Sequence, residues 1–555
     1  MTNRGYDIQA ELGRYHFADL ERGGVRINRG TAKSEVAEGD PPAFEEVRRA
    51  HRLAIVQSTL SGESPVVELD RPSTGIYVGS RRGVYLDLYQ GVAQRLFDDD
   101  RLMPRMQPLI SSGLLLRREI NTDDYLGFAP EGVRLPQDVA ALVTSEMSRA
   151  FPRPDGYSVF FSNSGTEAVE AAVKASALFA YRRFIKRFGA ECWADVCREL
   201  GIERDVAFGE TTPVWKDYPL FFVALEGAFH GRTLGSLALT QSRPVQRIGF
   251  PAWRWVVHVS RDSAAGIERR IDRRPIAIIL QDPGELARTI AAGRVPVDLL
   301  AAALFEPLQG EGGYRSPSGE VLAALRELCD DTGAQLIADE VQTFARGGAT
   351  FYSEIRSLRP DIVALAKAAV MGMTIVPNDL ARNFERGWHS NTFGSGRLFD
   401  VNYSHAVIDT FVNGRDATFA GLTFAENEAI KGEYLHDSLE KLAEQFPSVL
   451  SGFDGRGCIW GFTVPDRPAF LSMSWRQGAK MLGAGGSERP GQVRLILPAD
   501  VLTREIDDVV ACLRRTCEAL PLRPTETPEM NDDRRRPDRK VDEVVRRAPG
   551  SAATS

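Results

Sequence analysis

The chain has 555 residues, 43% hydrophobic and 26% charged, the balance of a soluble globular protein with material for large cores. Its formal charge of −7, from 68 Lys and Arg against 75 Asp and Glu, argues against a dedicated nucleic-acid binder, which carries a basic excess. No apolar run approaches the roughly 18–20 residues of a membrane span, and residues 1–11 lack the apolar core of a signal peptide, so a cytoplasmic protein is expected.

Taken in chain order, residues 1–60 form an N-terminal extension without apolar periodicity between about 26 and 40. Residues 157–161 (YSVFF) read as a strand that runs into Ser162-Asn163-Ser164-Gly165-Thr166-Glu167, followed by an Ala- and Val-rich helix to about Arg187. A segment with Trp193 and Trp215 follows, between Phe184 and Lys216, which against the family resemblance given below is an insertion expected to cover the cofactor or an interface. Residues 220–224, 276–280, 302–306, 335–339 and 361–365 read as further strands, and 321–330 as a helix stopped by Gly333. Apolar strands alternating with helices imply an α/β fold with a mostly parallel sheet covered on both faces. From about Phe419 shorter strands at 461–464 and 493–497 and a helix at 503–520 imply a smaller α/β domain. After Leu522 dense mixed charge and few large apolar groups read as a disordered tail. The expected boundaries are 1–60 for the extension, 61–125 for a segment packing with the small domain, 126–415 for the large domain, 416–521 for the small domain and 522–555 for the tail.

The six cysteines make no CxxC pair and read as reduced structural thiols. The seven histidines form no HExxH motif, so no protein-bound metal is expected. Four segments carry chemistry instead, one of them Phe305–Gly313 (FEPLQGEGG), whose acids just past a strand end line a ligand crevice or are solvated acids of a Gly-rich loop. Ser164-Gly165-Thr166 stands between a strand and a helix, where backbone N–H groups bind phosphate or a Ser simply caps the helix. Asp339 ends an apolar strand and needs a positive partner there, such as a protonated pyridine nitrogen. Lys367 follows the next strand among small apolar residues, which lowers an amine's pKa and suits it to a Schiff base. Each alone has a plain structural reading. Together, in that order on one sheet, the last three supply a phosphate anchor, a ring counter-charge and an amine for the aldehyde of pyridoxal phosphate.

The segments SNSGTEAVEAAVKAS, GAFHGRTLGSLALT, EPLQGEGG, LCDDTGAQLIADEVQT, PDIVALAK, HSNTFGSG, GRGCIWGF and PGQVRLILP, in this order from about residue 65 to 520, resemble the class III (ω-amino acid) aminotransferases of fold type I. The resemblance implies a large pyridoxal 5'-phosphate-binding domain with a seven-stranded, mostly parallel sheet, and a smaller C-terminal domain. It implies that Lys367 is the Schiff-base lysine and proton shuttle, and that Asp339 pairs with the ring nitrogen. Val341 would lie under the ring, Gln342 would bond its hydroxyl side, and Phe229, beside His230, would stack on the other face. Ser164, Gly165 and Thr166 would bind the phosphate, with Thr392 reaching it from the neighbouring subunit of a homodimer. Arg494 matches the arginine that grips an α-carboxylate, Arg232 one that holds a second carboxylate, and Glu311 an acid that pairs with the first arginine.

The sequence departs from the family in Ala368–Met371 after the lysine and in the absence of a GGN run. Both departures are closer to the lysine 6-aminotransferase and 4-aminobutyrate aminotransferase branch. The implied reaction moves an amino group from an ω-amino acid or diamine, with the lysine ε-amine first, to 2-oxoglutarate. 4-Aminobutyrate, ornithine or another diamine is the alternative donor. A racemase, mutase or decarboxylating transaminase on the same cofactor, and a non-catalytic relative, are the competing readings.

Overall fold

The computed structural model describes residues 75–80, 83–115, 128–208, 214–251, 253–382, 384, 393, 396–416, 421–485 and 490–520. The expectations for residues 1–60, for Thr392 and for the tail after Leu522 lie outside the described residues.

Strands β1 (Tyr77–Ser80) and β2 (Gly83–Asp87) pair antiparallel, and β2 continues in parallel onto Ala479–Lys480. Helices α1 (Asp99–Ser111) and α2 (Pro136–Ala150) precede β3 (Tyr157–Ser162), which runs into α3 (Gly165–Glu199). The chain then lays down β4 (Phe221–Leu225), β5 (Val256–Val259), β6 (Leu300–Phe305), α4 (Gly319–Thr332), β7 (Gln335–Asp339), β8 (Ile362–Leu365) and β9 (Gly372–Pro377). These strands form a seven-stranded sheet in the order β3-β9-β8-β7-β6-β4-β5. Only β9 runs against its neighbours; the others share one direction.

Every residue of β4, β6 and β8 is buried. Strands without a polar face must be covered on both sides, which here falls to helices such as α3 and α4. The parallel direction puts the C-terminal ends of β6, β7 and β8 together, so Glu306, Asp339 and Lys367 emerge on one edge.

After α5 (Leu398–Asn413) and α6 (Phe424–Gln445), strands β10 (Ser451–Arg456), β11 (Ile459–Thr463), β12 (Leu482–Gly483) and β13 (Gln492–Ile496) make an antiparallel sheet in the order β10-β11-β13-β12. Helices α7 (Arg467–Arg476) and α8 (Thr503–Ala519) pack on each other.

Two expectations need correction. Residues 276–280 form a helical turn, Ile276–Ile279, in place of a strand: Ile276 and Ile279 are buried while Ile278 is exposed, a one-sided burial at helical spacing. The described residues of the insertion do not line the cavity described below. It extends α3 past a bend at Gly189 (φ 87°), and its Trp193 is a core residue against Tyr181, Phe184 and Tyr218. No described residue of 184–216 lines the cavity. All six cysteines are unpaired. Among the described residues no helix is long and apolar enough to cross a membrane.

Candidate active site

A cavity of about 730 Å³ opens at the C-terminal edge of the large sheet. At one end β3 delivers Ser164 to the start of α3, where its side chain accepts the Glu167 N–H and caps the helix. Ser164, Gly165 and Thr166 all line the cavity. A side chain at Gly165 has no room, because a Cβ there would stand 2.6 Å from Val341 Cγ1. Thr166 Oγ1 shares hydrogen bonds with Ser236 Oγ (2.8 Å) and Thr233 Oγ1 (3.1 Å) and accepts Arg232 N–H (3.3 Å). A helix N-terminus with close backbone and oriented hydroxyls is a place for an anion.

In the middle, Asp339 ends β7 and is 5% exposed. Its Oδ1 accepts Val341 N–H (3.1 Å), and its Oδ2 lies 2.9 Å from His230 Nδ1. His230 is buried, and its own N–H donates to Thr240 Oγ1 (3.0 Å). Burial opposes a charged imidazole, but the Asp339 hydrogen bond and charge, with Glu306, outweigh it and hold His230 above its ordinary pKa. Phe229, Val341 and Gln342 line the same cavity.

Lys367 follows β8 in a tight turn, Lys367–Ala369, with a left-handed φ of 47°. Such a conformation in a non-glycine residue is held by its surroundings and is common at functional sites. Burial and the nearby Arg494 charge press its ammonium down to about 8, against the pull of Glu311, Asp339 and Glu306.

The third group lies where the two sheets contribute together. Arg494 on β13 donates from Nη2 to Glu311 Oε1 (2.7 Å), and from Nε and Nη2 to Gly483 O (3.1 and 2.8 Å). Its guanidinium stands 5.6 Å from the Tyr314 ring. Burial would raise the Glu311 carboxyl, but Arg494, Arg243 and Lys367 hold it below the ordinary range. Glu311 lines the cavity, as does Arg232, which is exposed with its guanidinium 5.6 Å from the Phe229 ring. Of the described residues singled out in the sequence, all but Arg494 line this cavity, and Arg494 reaches it through Glu311.

Two further residues belong to the site: Glu306, whose segment the sequence marks as crevice-lining without assigning it a role, and Arg243, which the sequence reading missed. Glu306 is buried in the cavity wall, accepts Phe229 N–H (3.0 Å) and Gly310 N–H (3.3 Å), and is pushed by burial to about 7, against the His230 charge. Its signal was present, a strand-end acid before a Gly-rich turn. Arg243 contacts Glu311 Oε2 at 3.1 Å, and no motif marks it.

The profile described as aminotransferase class-III matches residues 133–516. The chain belongs to the class-III aminotransferase family. It is 33% identical over 307 residues to L-lysine-epsilon aminotransferase of Mycobacterium tuberculosis, covering 54% of this chain and 64% of that protein. It thus spans 64% of the length of the lysine relatives it matches. Putrescine aminotransferase of Pectobacterium atrosepticum is 28% identical over 426 residues, covering 75% of this chain and 73% of that protein. The solved lysine aminotransferase of Mycobacterium tuberculosis in its internal aldimine form superposes with a TM-score of 0.59 at 25% identity, covering 84% of this chain and 98% of that one. Ornithine aminotransferase of Toxoplasma gondii shares the fold, with a TM-score of 0.61 at 18% identity over 86% of this chain and 95% of that one.

Family membership implies pyridoxal phosphate. The residues here fit it. The Gly165 cradle leaves no room for a side chain, the α3 N-terminus suits an anion, and the Asp339 carboxylate suits a ring cation. Lys367 offers an amine of lowered pKa in the same cavity.

Proposed function

We propose that the chain is a pyridoxal-phosphate-dependent aminotransferase that moves an amino group from an ω-amino acid or diamine, lysine through its ε-amine first, to 2-oxoglutarate, yielding an aldehyde and glutamate. The observation that carries the substrate part is the Glu311–Arg494 pair, whose Glu311 lines the same cavity as Lys367. An amine end of a donor, bearing no carboxylate, leaves that pair intact. A dicarboxylate acceptor takes the arginine for itself, because guanidinium binds carboxylate in a planar two-pronged contact. One pocket then serves both half-reactions.

Ser164, Gly165 and Thr166 would hold the phosphate. Asp339, kept in place by His230 and Val341 N–H, would keep the ring nitrogen protonated. When bound, the cofactor supplies an electron sink for the carbon that carries the amine. Phe229, Val341 and Gln342 would position the ring and exclude water from it. Lys367, pressed to about 8, is able to hold a proton and release it near neutral pH, as moving one from the amine-bearing carbon requires. Arg232 would receive the second carboxylate. The reading includes a cytoplasmic homodimer with Thr392 reaching the partner's phosphate site.

The test is a panel of lysine, 4-aminobutyrate, ornithine and putrescine, each with 2-oxoglutarate, read as glutamate formed. Lysine is expected to lead. Activity with putrescine alone would replace lysine as donor. Donor turnover without any keto acid would replace transamination by isomerisation.

A further inference from the structure

Glu311 is held by two arginines from different parts of the chain. Its Oε1 meets Arg494 Nη2 at 2.7 Å and its Oε2 meets Arg243 Nη2 at 3.1 Å. Arg494 is almost wholly buried at 3% side-chain exposure, whereas Arg243 is 38% exposed. Among the described residues Arg494 Nη1 and Arg243 Nε are buried without a hydrogen-bond partner. Each arginine therefore has donor capacity in reserve.

A ligand carboxylate takes both prongs of Arg494 only if Glu311 Oε1 leaves it. A carboxylate that is 17% exposed and loses its only cation becomes an unpaired, mostly buried charge, a cost that competes with the gain from the ligand. Arg243 removes that cost, since Glu311 Oε2 is already on it. A third guanidinium, Arg467, is tied to Ala484 O (2.6 Å) and Gln492 O (3.4 Å), and its pKa is lowered by burial and by the charges of Arg243 and Arg494. The region therefore keeps positive charge in surplus whichever arginine holds Glu311.

We infer that Arg243 is a latch: it retains Glu311 when a dicarboxylate displaces that acid from Arg494, and so acts as a positioning residue for acceptor binding. The inference rests on the reading of Arg494 as the acceptor-binding arginine.

The test measures binding of glutarate, an unreactive dicarboxylate, to the holoenzyme by calorimetry, with the KM for 2-oxoglutarate as second readout. Arg243→Met is expected to weaken glutarate about tenfold, between the worth of an exposed pair and that of a buried one. Arg243→Lys should keep most of the affinity. The decisive arm is the double variant Arg243→Met with Glu311→Gln, in which no carboxylate needs a latch. Glutarate affinity there should match that of Glu311→Gln alone. Arg243→Gln replaces the methionine variant if the latter does not fold.

Unchanged affinity in the folded single variant overturns the latch. A loss that persists beside Glu311→Gln also overturns it, because Arg243 then touches the ligand directly. Wild-type protein that binds no glutarate overturns the dicarboxylate reading itself, and the latch with it.

Discussion

The two ends of the cavity are built in different ways. Around Lys367 the acids Asp339 and Glu306 leave strands of the large sheet and accept bonds from nearby backbone: Val341 N–H on Asp339, Phe229 and Gly310 N–H on Glu306. Around Glu311 the partners are long side chains from two separate places, Arg243 and Arg494, joined in ion pairs, with Arg467 nearby on carbonyl oxygens. Backbone donors cannot move without unfolding the strand ends, whereas a carboxylate between two guanidinium groups exchanges one for the other by rotating its own side chain. The sheet edge is suited to chemistry that must not vary, and the arginine end to ligands that alternate.

If that division is right, damage at the sheet edge costs turnover and damage at the arginine end costs affinity. Lys367→Ala should show the largest effect, a loss of about 10²–10⁴-fold in turnover in a chain that still melts cooperatively. Glutamate formation from lysine and 2-oxoglutarate measures it, and normal turnover would break the comparison. Arg494→Ala should raise the KM for 2-oxoglutarate roughly 30-fold or more, as loss of a buried charged contact of about 2 kcal/mol implies. An equal rise for the diamine donor would show that this end does not discriminate.

Lys367 also titrates visibly. Its lowered value means the amine is charged below about 8 and neutral above it, and only the neutral amine attacks an aldehyde. Capture of pyridoxal phosphate by the cofactor-free chain, followed by absorbance, should therefore quicken as pH rises through about 8 and then level off. The same depression makes a stability statement. Between the folded value near 8 and the ordinary 10.5 the unfolded chain binds more protons, so this lysine's destabilising contribution is full below about 8 and relieved toward 10.5. The smallest effect belongs to Ser164→Ala, about 0.5–2 kcal/mol of stability from loss of an N-cap, read by urea unfolding. A larger loss of phosphate-dependent cofactor affinity in that variant would assign the hydroxyl to the phosphate as well as to the helix.

Legibility in the sequence followed the same division. Strand-end residues, Glu306 among them, are visible because apolar runs in β6, β7 and β8 announce the edge at which they stop. A four-residue apolar stretch such as Ile276–Ile279 fits a strand or a helical turn equally, and only its exposed members, Ala277 and Ile278, decide. Strand β9 (Gly372–Pro377) went unread although all of it is buried, because its reversed direction breaks the strand-helix alternation. Arg243 left no signal, since its partner Glu311 is far along the chain and an arginine before a proline marks nothing by itself.

The arginine surplus beside Glu311 has a kinetic side. The chain carries a formal charge of −7, yet here two guanidinium groups share one carboxylate and a third, Arg467, stands close enough to feel their charge. A dianion approaching through water feels such a focused field only within a screening length, about 8 Å at physiological ionic strength. Encounter with a dicarboxylate is thus accelerated over the last few ångströms, and added salt, which shortens the screening length, weakens that acceleration.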